Sequence, residues 1–236
     1  MIKKTKKYLV LSGSIAVVIL SLQINSFCQS SDKILTQRIH LNLPETTMLY
    51  VLNKLAYQYQ VPIGLERASD YRQKLKEKMY FENGEVRWKK DTLAIVPGTL
   101  EEVLNSLIKQ EPEYKWELQN GVINFLPVKS RDKFLENLLG TKVGIFSPQK
   151  GLSKFEVRDS IIELSEVKKI LESENVFLLK RDYPNSNYLY DDKEISISIT
   201  NASVKDVLNK IVKNNPFKIW VIERIGDDKE SLIVTF

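Results

Sequence analysis

A chain of 236 residues, 43% hydrophobic and 28% charged, has the composition of an ordinary globular protein and room for two domains of roughly 80–100 residues. Its formal charge of +5 is concentrated in Lys3, Lys4, Lys6 and Lys7; no acid precedes Asp32, so beyond residue 8 the balance is 31 basic against 30 acidic residues. A near-neutral body offers no concentrated cationic face for nucleic acid, and a lone cysteine, Cys28, excludes an internal disulfide or a multi-thiolate metal centre.

The first segment reads as basic residues, then an apolar run over 9–22, then small and polar residues over 23–31. This order predicts a secretory signal peptide over residues 1–30, because the apolar run is shorter than the ~20 residues of a membrane-spanning helix. Cleavage after Cys28 or after Ser30 fits the small-residue exit. A retained anchor and lipidation of Cys28 are the alternatives, although Asn25 and Phe27 fit a lipoprotein signal poorly.

Next come a strand over 39–43, a helix with the stripe Met48, Val51, Leu52, Leu55 and Tyr59, and a strand over 61–65. A charged stretch follows over 66–91, with helical character around 71–78. Beyond it lie a strand over 92–96 and a helix whose face is Leu100, Val103, Leu104, Leu107 and Ile108. Thr99 and Glu102 form a capping box at that helix start, and Pro112 stops it. Tyr114, Trp116 and Leu118 alternate with polar residues, Asn120-Gly121 supplies a tight turn, and a strand over 122–126 returns.

An offset of 104 positions repeats this grammar. Val103-Leu104-Asn105 falls on Val207-Leu208-Asn209, Thr99 on Ser203, Pro112 on Pro216 and Trp116 on Trp220. Ser203 and Asp206 stand in for the capping box, and Val204, Val207, Leu208, Ile211 and Val212 make the stripe. Strands are expected over 194–200, 218–223 and 232–236. Upstream, Ser160 and Glu163 suggest a box before Leu164, Val167 and Leu171, with a strand over 176–179. Residues 129–153 join the copies and carry an amphipathic patch, Phe134, Leu135, Leu138 and Leu139, which predicts a docked helix.

The fold expected is therefore α+β: two tandem small β-α-β-β-α-β-β domains, at 33–128 and 154–236, each with helices packed on a small mixed sheet. The runs at 39–66 and 99–125 resemble the two halves of the secretin/TonB short N-terminal domain, with Leu52, Leu55 and Ala56 in the expected helix positions. That resemblance spans most of the chain beyond the signal and implies a periplasmic domain that contacts other envelope proteins. The chain ends at Phe236, so the expectation is a pair of such domains without a following barrel or secretin ring.

Catalytic chemistry finds little support in the residues. His40 is the single histidine and lies in a strand, and no G-x-S-x-G exists on which a triad could be built. The S-x-x-K pairs at Ser106, Ser130, Ser147 and Ser165 lack companion motifs, and nine scattered glycines form no phosphate loop. Asp191-Asp192 and Asp227-Asp228 fall in expected turns. No catalytic residue, cofactor or metal is assigned. Trp116 and Trp220, at equivalent strand positions, read as core. Tyr183, Tyr188 and Tyr190 occur in one copy, in a loop rich in asparagine, and are the candidate partner-binding residues. The expectation is a non-catalytic envelope module that binds another protein, with strand addition to a sheet edge as the physical route. A small-ligand or peptide sensor using the space between domains is the alternative, and a hydrolase ranks last.

Overall fold

The computed structural model describes residues 33–71, 73–74, 79–82, 85–88, 93–148, 151–179, 197–226 and 231–236. Residues 1–32, with the expected signal segment and Cys28, the tyrosines at 183, 188 and 190, and both aspartate pairs lie outside the described residues. No helix among the described residues is long and apolar enough to cross a membrane.

The architecture is α+β. The first copy runs β1 (Arg38–Ile39), β2 (Leu43–Thr46), α1 (Met48–Gln58), β3 (Ile63–Glu66), β4 (Met79–Glu82), β5 (Glu85–Trp88), β6 (Leu93–Ile95), β7 (Gly98–Thr99), α2 (Leu100–Gln110), β8 (Tyr114–Gln119) and β9 (Val122–Pro127). Then come α3 (Lys133–Gly140) and β10 (Lys142–Phe146). The second copy contributes α4 (Lys154–Ile162), α5 (Ser165–Ser173), β11 (Phe177–Leu178), β12 (Ile199–Ser203), α6 (Val204–Asn214), β13 (Ile219–Ile225) and β14 (Ser231–Thr235).

Local chemistry sets most of these bounds. At α2 the Thr99 hydroxyl accepts from the Glu102 amide while the Glu102 carboxylate accepts from the Thr99 amide, and Ser203 with Asp206 does the same for α6. Each box satisfies amides that a helix start leaves without partners. Asn120 and Gly121 both adopt positive φ, 54° and 81°, the geometry a two-residue hairpin between β8 and β9 needs.

Six strands join into one sheet in the order β11-β14-β13-β3-β9-β8, so strands of both copies share one ladder. The junction is a parallel pairing of β13 with β3, Ile219 opposite Ile63, Trp220 opposite Gly64, Val221 opposite Leu65 and Ile222 opposite Glu66. Alternation along β13 sends Trp220 and Ile222 to the face under α3, α4, α5 and α6, and Ile219 and Val221 to the face under α1 and α2. The helices of the two copies therefore cover opposite faces. Within each copy the strand order is the same (β3-β9-β8 against β11-β14-β13), yet the strand directions are reversed. A half-turn about an axis lying across the strands, with a shift along the sheet, relates the two. This is a head-to-tail relation that does not close on itself.

Several expectations need correction. The strand expected over 39–43 is two short strands, β1 pairing with β7 and β2 with β6. Ser160 does not cap a helix: Ser153 and Glu156 form the box for α4, and Ser160 lies inside it, donating to the Glu156 carbonyl. Both serine–acid pairs have the spacing of a box, but the earlier one lets Val157 and Ile161 face the core. The charged stretch contains an antiparallel hairpin, β4 with β5. The expected strand over 194–200 is described only from Ile197, and β12 runs on to Ser203, paired with β10 from the joining segment. The docked helix there is α3, with Phe134, Leu135, Leu138 and Leu139 all buried.

Two predictions follow from this packing. Leu104 and Leu208, equivalent and 0% and 1% exposed, should each cost ~2–5 kcal/mol when cut to alanine, as measured by urea unfolding. At Gly64 a methyl group would come within 2.4 Å of the Trp220 ring and 2.7 Å of Asn124 Oδ1. Gly64→Ala should therefore destabilise by ~1–3 kcal/mol through overpacking, with a change in tryptophan emission. An unchanged midpoint would mean that β13 does not rest on β3.

Candidate interaction surface

Among the described residues β8 pairs with β9 and has no second strand partner, which makes it one edge of the six-stranded sheet. The direction of its backbone groups follows from the ladder. Val128 N–H donates to Glu113 C=O at 2.7 Å, and Pro127, which has no N–H, stands opposite Tyr114. With a period of two, the backbone groups of Lys115, Glu117 and Gln119 face β9, and those of Tyr114, Trp116 and Leu118 point outward. The Tyr114 N–H turns to the Glu111 carbonyl at 3.1 Å.

Side chains above this edge repeat an arrangement found in the second copy. Trp116 Nε1–H donates to Asn105 Oδ1 at 3.1 Å, and Trp220 Nε1–H donates to Asn209 Oδ1 at 2.9 Å, each asparagine eleven positions before its tryptophan. Their surroundings differ. Trp220 is 0%, Asn209 3%, Val212 0% and Ile222 1% exposed. Their counterparts Trp116, Ile108 and Leu118 are partly exposed, and Asn105 is exposed. Both tryptophans read as core from the sequence, and only Trp220 is. Asn105 and Asn209 were visible as part of the repeated Val-Leu-Asn triplet, but nothing in that triplet says that the amide holds an indole.

What covers the second copy's set is the first copy's sheet. Helix α6 crosses it, with Lys205 pairing with Glu117, Asp206 Oδ1 accepting from Gln119 Nε2 at 3.2 Å, and Lys213 Nζ donating to the Asn120 carbonyl at 2.6 Å. On α2 the corresponding positions are Glu101, Glu102 and Lys109, and Glu101, Glu102 and Lys109 are exposed.

Two concave sites accompany this surface. A cleft of about 160 Å³ lies beside α1 and β3, lined by Leu65, Arg67, Tyr71, Lys74, Glu113 and Tyr114 among others. Its cations are matched: Arg67 lies 3.7 Å over the Tyr71 ring and 3.3 Å from Glu223, and Lys74 pairs with Asp70 at 2.9 Å and with Glu113. Burial works to raise the Asp70 carboxyl, but bonds from Lys74 and Ser130 outweigh it and hold the group below its usual range. A wider groove of about 530 Å³, between the copies and α3, is lined by Ser69, Arg131, Asp132, Phe134, Glu174 and Arg224 among others. There Arg131 donates to both carboxylate oxygens of Glu66, at 2.8 and 3.0 Å, and to Glu136 at 2.6 Å. Arg224 lies 3.5 Å from Asp132 and 4.9 Å from the Phe134 ring centre.

His40 is exposed between β1 and β2, and its backbone N–H donates to Tyr59 Oη at 2.9 Å. Among the described residues no group of three or more His, Cys, Asp or Glu is placed to hold a metal ion. The candidate tyrosines 183, 188 and 190 fall outside the described residues. Compared with known proteins, the chain matches no family model, no curated protein and no solved structure.

The start of β8 yields a pH prediction. Tyr114 is 7% exposed, and burial pushes its phenol up to about 12, partly opposed by the Ala68 N–H that it accepts at 3.1 Å. The fold thus favours the protonated phenol relative to the unfolded chain, whose value is 10.0. That contribution, on the order of 2 kcal/mol, is complete below pH 10 and is lost as pH rises through about 12. Tyr114→Phe should flatten the fall in unfolding free energy over that window; an unchanged slope would place the titrating group elsewhere.

Proposed function

We propose that this chain is an exported protein of the bacterial envelope that works as a non-catalytic protein–protein interaction module. The observation that carries the reading is the β8 edge: outward backbone groups, an indole and apolar side chains stand open where the twin strand β13 already uses the same set to join another sheet. Unpaired strand edges are sites where a second chain adds by backbone hydrogen bonds. The leader-like pattern of residues 1–30 and the near-neutral remainder support export. The resemblance of 39–66 and 99–125 to the secretin/TonB short N-terminal domain supports a place among envelope-contacting domains.

The second reading, a small-ligand or peptide sensor, draws on the groove between the copies. Its lining argues for a polar occupant, because Arg131, Asp132, Glu174 and Arg224 face it while ligand pockets are mostly apolar. Thermal stabilisation by a metabolite panel, with loss of the effect in an Arg224→Ala variant, would favour this reading over the first.

Capture of a specific envelope protein on the immobilised mature chain tests the leading proposal. Leu118→Pro removes an outward N–H, and proline is tolerated on an edge whose N–H faces away from its ladder. That variant should lose the captured protein while still melting cooperatively. Serine at Tyr183, Tyr188 and Tyr190 together should also abolish capture and leave the melting temperature nearly unchanged. A protein retained by both variants would place the contact away from the edge and from the tyrosine loop.

A further inference from the structure

The contact between β13 and β3 states in atomic detail what one face of this repeat binds. β13 offers the Lys218 carbonyl to Ile63 N–H at 2.7 Å and the Ile222 carbonyl to Arg67 N–H at 3.0 Å. Between these bonds Trp220, tied down by Asn209, rests against a residue with no side chain, Gly64. The partner strand thus runs parallel, donates from residues i and i+4, and carries glycine at i+1. The first copy has the same acceptor positions at Tyr114 and Leu118, the same indole at Trp116 and the same asparagine at Asn105. What it lacks, among the described residues, is the strand.

Resting on the interaction reading above, we propose that the β8 edge docks a parallel strand of a different protein, with glycine facing Trp116. Charge separates that protein from a second copy of this chain. Lys205 meets Glu117 in the covered copy, whereas Glu101 takes the Lys205 position in the open one. A docked sheet must therefore present a cation where the covered contact presents Glu117. A second copy offering its first sheet would bring Glu117 against Glu101 and has β3 already paired on both sides, with β13 and β9, while the other sheet edge among the described residues, β11, lies in a stretch, 152–225, that holds no glycine to face Trp116. The Trp–Gly seat sets specificity sterically: a side chain at i+1 would meet the indole, as one at Gly64 would meet Trp220.

A nonapeptide with the sequence of residues 60–68, QVPIGLERA, is the probe. Titrated into the isotope-labelled mature chain and followed by NMR, it should saturate, with shifts confined to β8 and the exposed face of α2. The peptide carrying valine in place of glycine should bind about tenfold more weakly or worse, and so should the original peptide to a Trp116→Ala chain that retains its native spectrum elsewhere. Equal binding of both peptides at β8 would overturn the glycine rule and leave the edge a general strand acceptor. Absence of saturable binding up to millimolar peptide would overturn strand docking here; the envelope capture described above decides the broader reading separately. Concentration-dependent self-association in sedimentation, abolished by Trp116→Ala, would overturn the assignment to a different protein.

Discussion

Trp220 can rest against the strand next to its own because residue 64 has no side chain, and the continuity of the central sheet depends on that clearance. With β13 and β3 in register, Val122 of the first copy enters the core built mainly by the second, and Ile219 of the second enters the core of the first. Each copy completes a hydrophobic layer that the other begins. The burial is of large apolar side chains, Trp220, Ile63 and Ile123 among them, each essentially inaccessible, and such burial contributes roughly 1.5–3 kcal/mol per side chain.

A polar clasp reinforces the same junction further along the same face. Glu66, at the end of β3, is fully buried, and Arg131 from the segment that joins the copies closes on both its oxygens. A carboxylate in that position is tolerated because it is paired in fork geometry. The joining segment is thus bound to the sheet at its start by Arg131, packed through α3 in its middle, and paired through β10 at its end. It holds the two copies in one relation, with helices on opposite faces of a single sheet.

The parts of the fold that were legible are those decided within a dozen residues. The boxes at Thr99 and Ser203, the Asn120-Gly121 turn and the stripe on α3 each combine a spacing with a residue type that has one physical use. Where two local solutions competed, the reading failed: Ser153 and Ser160 both stand three before a glutamate. β10 left no alternation to read, since its buried residues, Val143 and Phe146, lie three apart with Ile145 exposed between them. The shared sheet left no local mark, because Gly64 is an ordinary strand glycine until Trp220 is placed over it. For the same reason two tryptophans equivalent in sequence differ in exposure. Burial belongs to the neighbour, and the 104-residue repeat does not say which copy has one.

The parallel pairing at the centre also orders events in time. β3 is complete roughly 150 residues before its partner β13 leaves the ribosome. Until then the first copy carries two bare strand edges rather than one, and the pairing that removes the second requires closing a long loop before any contact rewards it. A chain that pauses between the copies would display a template for wrong pairing at Ile63–Glu66, with Gly64 open to any strand that can approach it. Holding the polypeptide unfolded until its last strand has emerged would keep that edge from forming early.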